Sequence, residues 1–148
     1  MTGYALDKVL RRADEADLFC TSPADLDALA ATAVAGGFAV HRIDLAGVRD
    51  RDAFLDRIAR VMCFPGWFGR NWDALEDCLS DLSWLAASRG HVVLLEHSRS
   101  FFSPAGVPAA TARQVLRTAA EHWREKGVPF WIVMDFPAAG VPSLPAAS

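Results

Sequence analysis

The sequence predicts an α/β fold built on a small parallel β-sheet packed with helices, and three observations carry that expectation. Short apolar runs at Phe38 to Leu45, His91 to Glu96 and Phe130 to Met134 alternate along the chain with segments of helical periodicity. Strands joined by helices of this length pair in parallel through helical crossovers. The stretch Val92-Val93-Leu94-Leu95 is continuously apolar, as a strand covered on both faces must be. With 148 residues, 52% of them hydrophobic, and a net charge of −3, the chain is long and apolar enough for one domain with a proper core.

Each element follows from local signals. Asp7 to Ala16 reads as a short helix and Leu18 to Thr21 as a short strand. Ser22 offers an N-cap with Pro23 at the first helical position; Leu26, Leu29, Ala30, Ala33 and Val34 supply an apolar stripe, and Gly36-Gly37 ends the helix. Phe38 to Leu45 alternates between glycines as a strand, and Asp50 to Met62 sets Phe54, Leu55, Ile58, Val61 and Met62 on one helical face, with Pro65 as the expected stop. Ser98 to Val107 reads as a loop. Pro108 to Lys126 repeats Ala112, Val115, Leu116, Ala119, Ala120 and Trp123 at helical spacing, ends at Gly127 and leads into the last strand. The tail from Pro137, rich in Pro, Ala and Ser, is expected to be disordered.

The densest chemistry lies between Phe64 and Leu79, where an aromatic, glycine-bearing loop opens an acidic helix. Trp72, Leu75, Leu79 and Leu82 share one stripe, while Asp73, Glu76, Asp77 and Asp81 spread over the other side. No Lys or Arg follows Asn71 until Arg89. Like charges three and four residues apart cost roughly 0.2–0.5 kcal/mol per pair. Asn71 is a good N-cap, and Asp73 in the first turn complements the helix dipole, a purely structural role. Charge pattern alone admits two readings for the acids together, a binding face for positive charge or a solvated surface.

The stretch Trp67-Phe68-Gly69-Arg70-Asn71-Trp72-Asp73-Ala74-Leu75-Glu76-Asp77-Cys78-Leu79 resembles the signature of the barstar family, intracellular inhibitors of barnase-like, guanyl-preferring ribonucleases, with Gly69, Asn71, Asp73, Ala74, Leu75, Asp77, Cys78 and Leu79 matching. The likeness extends more loosely from Phe38 to Phe136. It makes residues 38–136 the core and leaves residues 1–37 as an added unit packed on the sheet edge or a regulatory arm, with 137–148 as the tail. It implies a barstar-like three-layer fold with an extra N-terminal strand-helix unit. It further implies an inhibitor whose acidic helix mimics RNA phosphates in a basic active site. Asp77 would take the central place against Arg and His side chains, with Asp73 beside it, Glu76 on the same helix, and Trp67 and Phe68 covering the active-site histidine. Gly69 would allow close approach or a positive φ. Charge-steered association is the behaviour of the family's prototype complex, and the resemblance alone implies it for this chain.

Departures from the family pattern point to a related but different target, either a secreted ribonuclease or the ribonuclease domain of an antibacterial toxin. Arg70 stands where an acid is familiar, Glu76 replaces an aromatic, and Trp67 and Phe68 lack the hydroxyls of a Tyr pair. In the last helix His122 falls where an interface Glu is expected, with Glu121 one residue earlier. Trp67 could equally pack over the sheet edge, whereas Trp72, Trp84, Trp123 and Trp131 are expected in the core.

Other classes fare worse. Acids outnumber bases and no basic stripe appears, which argues against direct nucleic-acid binding. No GxSxG, Walker-type loop or HExxH is present, so an enzyme is not expected. Cys20, Cys63 and Cys78 read as free, mostly buried thiols, and the histidines show no ligand spacing, so neither a metal nor another cofactor is expected. Charges throughout Met1 to Asp17 interrupt a signal peptide, and no apolar run spans a bilayer, which makes the cytoplasm the expected location. A non-inhibitory acidic interaction module stays open as an alternative, because a fold does not fix a function.

Overall fold

The computed structural model describes residues 8–103, 107–138 and 140–144, and over them the chain builds one four-stranded, all-parallel sheet. The strands are β1 (Leu18–Cys20), β2 (Ala39–Asp44), β3 (His91–Glu96) and β4 (Phe130–Met134), lying in the order β1-β4-β3-β2. The helices are α1 (Pro23–Ala35), α2 (Arg51–Val61), α3 (Trp72–Leu79), α4 (Arg99–Phe102) and α5 (Val107–Glu125). No helix among the described residues is long and apolar enough to cross a membrane.

Strand order decides where the helices go. The chain crosses from β1 at one edge to β2 at the other, then steps back through β3 to β4. With right-handed crossovers, the outward connection lies on one face and the returning ones on the opposite face. The core divides accordingly. Ile43, Val93, Leu95, Ile132 and Met134 join α2, α3 and α5, while Val92, Leu94, Trp131 and Val133 join Leu26, Leu29 and Ala33 of α1. Successive strand residues alternate between the two clusters, as the two-residue period of a strand requires. Each fully buried leucine contributes roughly 1.5–3 kcal/mol relative to exposure. Residues 18–35 therefore do more than extend an edge, since β1 pairs with β4 and α1 roofs a whole face. Trp131 Nε1 donates to the Leu10 carbonyl at 2.9 Å beneath that roof.

Helix ends follow one device three times. After α1 and α5, Gly37 (φ 87°) and Gly127 (φ 73°) take the left-handed conformation, and the next residue donates back to Ala33 or Trp123. After α2 the same motif is closed by Cys63 at φ 55°, with Phe64 N–H donating to the Ala59 carbonyl at 2.9 Å. Pro65, the expected stop, comes too late to be the cause. This turn also explains why Cys63 is exposed while Cys20 and Cys78 are buried.

Other expectations are corrected by contacts distant in sequence. Ser98 to Val107 is not loop throughout, because α4 buries Phe101 and Phe102 beside Phe54. Over the described part of 7–16, the short helix is replaced by a helical turn at 8–10 and a 3-10 turn at Ala13–Glu15; Asp7 lies outside the described residues. Val34, placed on the buried stripe by its spacing, is 65% exposed. Within the tail, Cys20 N–H donates to the Pro142 carbonyl and Leu144 N–H to the Cys20 carbonyl, with Val141 and Leu144 buried. An edge strand offers unpaired backbone groups, and residues 140–144 satisfy them, a contact that composition does not foretell.

His41 and His91, fifty positions apart, meet on the α3 side of the sheet with Nε2 and Nδ1 3.2 Å apart and rings stacked at 5.4 Å. Burial, then the neighbouring His91, pushes the His41 imidazole down to about 4, and burial lowers His91 as well. Both rings are therefore neutral at pH 7. Among the described residues, no cluster of three or more His, Cys, Asp or Glu has the arrangement of a metal site.

Candidate partner-binding surface

The left-handed Cys63 directs the chain into residues 64–71, and a turn in which Phe68 N–H donates to the Pro65 carbonyl at 3.0 Å carries Trp67 at its tip. Trp67 is 62% exposed, which decides between the two readings of that ring. With three further aromatics it forms an edge-to-face chain. Phe68 meets Phe64 at 4.9 Å, Phe64 meets Trp84 at 5.8 Å, and Trp84 meets Trp67 at 6.3 Å with planes at 87°. Phe68 is half-buried against the main core, so it anchors the loop more than it displays a ring.

Of the two uses expected of Gly69, close approach or a positive φ, the second falls on Arg70 instead, at 54°. A Cβ at Gly69 would make only ordinary contacts, 3.5 Å to Asn71 Nδ2 and 3.6 Å to Ala74 Cβ. The unfavourable turn at Arg70 accompanies an ion pair, Arg70 to Asp56 of α2 at 2.6 Å. The base standing at the entrance to the acidic helix is thus paired with α2 and not with the α3 acids.

Asn71 then starts α3, its Oδ1 accepting from Ala74 N–H at 2.8 Å. Leu75, Cys78 and Leu79 are buried, and Trp72, expected in the core, is half-buried with its ring 6.0 Å from Phe54. The helix stops at Leu79, so Asp81 and Leu82 belong to the turn beyond it; Leu82 reaches the core with φ 54°. Trp123 Nε1 donates to the Leu79 carbonyl at 2.7 Å, satisfying an orphan group of the last turn and tying α3 to α5.

On the solvent side Asp73, Asp77 and Asp81 are exposed and Glu76 is half-buried. None of the four forms an ion pair with another described residue, whereas Asp27, Asp44, Asp52, Asp56 and Glu96 each do. The thiol of Cys78 is pushed up to about 11, first by burial and then by Asp77 and Asp81. The result is an uncompensated carboxylate face on a helix fixed at both ends, next to an open indole.

The two expected residues of the last helix point to different sides of it, being one position, about 100°, apart. Glu121 is exposed but precedes Trp123 by two positions, about 200° around the helix. It shares its side of α5 with Arg117 and Arg124, which donate to the carbonyls of Gly140 and Ala16. Glu121 is thus turned away from the residue that touches α3. His122 is half-buried, its ring edge-on to Trp123 at 5.5 Å, and its Nε2 is buried with no hydrogen-bond partner among the described residues. Sequence reading missed Trp84, Trp123 and Asp56 as parts of the site's frame. Their only local signal was apolar spacing for the tryptophans and none for Asp56.

The chain matches no curated protein. A family model described as Barstar (barnase inhibitor) matches residues 38–135, about two thirds of the chain. That span opens just before β2 and closes just after β4, so it holds the aromatic loop, the acidic helix and the elements bracing both, and leaves β1 and α1 outside. With that match over this architecture, the chain belongs to the barstar family.

Proposed function

We propose that this chain inhibits a barnase-like ribonuclease by laying the carboxylates of α3 into the enzyme's cationic active-site cleft, with Trp67 packed beside them. The single observation behind this reading is a set of acids without an ion-pair partner among the described residues, Asp73, Glu76 and Asp77 on a helix whose cap, core face and C-terminal carbonyl are all engaged and Asp81 in the turn after it. A ribonuclease site must bind phosphates, and cations arranged for phosphate also bind carboxylates. Asp77 and Asp73 serve as the phosphate mimics, Glu76 adds to the field, and Asn71 and Gly69 shape the approach. The target is a secreted ribonuclease or a toxin's ribonuclease domain, met in the cytoplasm of the producing cell.

Inhibition kinetics test this directly. The purified chain should abolish RNA cleavage by a guanyl-preferring ribonuclease of this class or by one encoded beside it, with an association rate that falls as salt rises. Binding without loss of cleavage would favour a plain interaction module. No inhibition of any such ribonuclease at micromolar concentration would remove the proposal.

A further inference from the structure

Trp84 lies outside the matched signature motif and apart from the acids, yet it touches the end of α2, the first aromatic of the loop and Trp67 itself. Its ring stands edge-on beneath the Trp67 indole at 6.3 Å and 87°, and also edge-on to Phe64 at 5.8 Å and 84°. Its Nε1 donates to the Met62 carbonyl at 3.0 Å, the last carbonyl before the left-handed turn at Cys63. One side chain therefore bonds the end of α2, supports the first aromatic of the loop and abuts the ring at its tip. Trp84 is itself only half-buried, a large aromatic held at the rim of the core rather than within it.

Without such a support, an indole 62% exposed at the tip of a turn has little to restrain it. A mobile ring must be ordered when a partner binds, and that entropy is subtracted from affinity. The ring already held in place loses less. From this geometry we infer that Trp84 is a positioning residue for partner recognition, pre-ordering Trp67 for contact with the ribonuclease. Trp84 acts through Trp67 and makes no contact of its own with the partner. The inference deepens the inhibitor reading and rests on it for the partner, but the state of Trp67 in the free chain is a property of this protein alone.

The test uses the full chain in two arms. In the first, ¹⁵N relaxation of the Trp67 indole N–H is measured in the free protein. The order parameter should be near about 0.85 in the unsubstituted chain, fall below about 0.6 in Trp84→Ala, and be retained in Trp84→Phe, which keeps an edge-on ring. Trp84→Leu, which fills the space without a ring, should lose order as Trp84→Ala does and carries the test if the alanine variant does not fold. In the second arm, dissociation from the inhibited ribonuclease should quicken about tenfold in Trp84→Ala, and that effect should disappear in a Trp67→Ala background. A merely structural role would give equal effects in both backgrounds. An indole that stays ordered in Trp84→Ala, or is already mobile in the unsubstituted chain, overturns the inference. Should no ribonuclease be inhibited, the functional proposal fails and the relaxation arm alone decides the role of Trp84.

Discussion

Helices α1 and α3 start alike and use their acids in opposite ways. Both are N-capped by a side-chain oxygen, Ser22 accepting from Asp25 N–H and Asn71 from Ala74 N–H, and both carry an acid in the first turn. In α1 the exposed Asp27 is taken up by Arg42, which also holds Glu96 of β3, so the charge is used within the chain. In α3 the corresponding charges meet no base among the described residues. The first helix roofs a face of the sheet, and its chemistry closes inward. The second is only eight residues long, is braced from α2 by Phe54 against Trp72 and from α5 by Trp123, and leaves its charge facing outward. The lesson is that two helices with like starts can differ in whether their acids are used within the fold, and the uncompensated set on a rigid support is the one proposed to meet the ribonuclease.

That contrast can be broken most severely from the α1 side. Leu29 is fully buried beneath α1, and Leu29→Ala should cost about 2–5 kcal/mol in urea unfolding while the fraction still folded inhibits normally. Loss of inhibition by folded Leu29→Ala would mean that the α1 face is part of the site. Next in size, Asp77→Ala should weaken ribonuclease binding by about 2 kcal/mol or more in titration calorimetry, with the melting temperature nearly unchanged. Asp81→Ala should have a far smaller effect on binding. Its counterpart Asp27→Ala should shift stability by at most about 1 kcal/mol and leave binding alone. Equal binding losses in the Asp27 and Asp77 variants would erase the distinction between the helices.

Acid tests the α3 side through the histidine pair. His41 titrates at about 6.5 when unfolded and about 4 when folded, and the His91 value is also lowered, so the unfolded chain binds more protons between those limits. Stability is therefore full above pH 6.5 and is lost as pH falls toward 4, by on the order of 1 kcal/mol once partial exposure is allowed for. The His91 ring centroid lies 5.9 Å from that of Trp123, the residue that holds the end of α3, so the pair stands on the side of the sheet that carries the acidic helix. Urea titrations from pH 7 to 4.5 should give a slope that flattens in His41→Gln, and an unchanged slope would show the pair to be irrelevant. Smallest of all, Ser22→Ala and Asn71→Ala should each cost about 1 kcal/mol of stability, but only the second should also weaken inhibition. If both caps or neither affect inhibition, α3 has no special need of its start.

How much of the fold and the site is legible in the sequence follows from the range of the interactions. The acid stripe, the caps at Ser22 and Asn71 and the strands His91 to Glu96 and Phe130 to Met134 are readable, because each depends on groups within a few residues. A positive φ is not legible at Gly69, the residue that tolerates a left-handed turn best, because the fold imposes that turn on the neighbouring Arg70, paired with Asp56. Counting back from Gly127 fixes the position of Glu121 along α5 but not the side that faces α3. Trp84 reads as a core residue because apolar spacing does not distinguish a ring inside from one at the rim.

By itself, then, the sequence determined the four strands, helices α1, α2, α3 and α5, the caps at Ser22 and Asn71 and the polarity of α3, since periodicity, capping and charge spacing act along the chain. Only the tertiary structure decided that α1 and the α2–α3–α5 set take opposite faces, that residues 140–144 close the β1 edge, and that Trp84, Trp123 and Asp56 brace the acidic surface. Those outcomes join groups far apart in the chain. Which of them meet depends on the sheet's strand order and the handedness of its crossovers, quantities that no local window of residues contains.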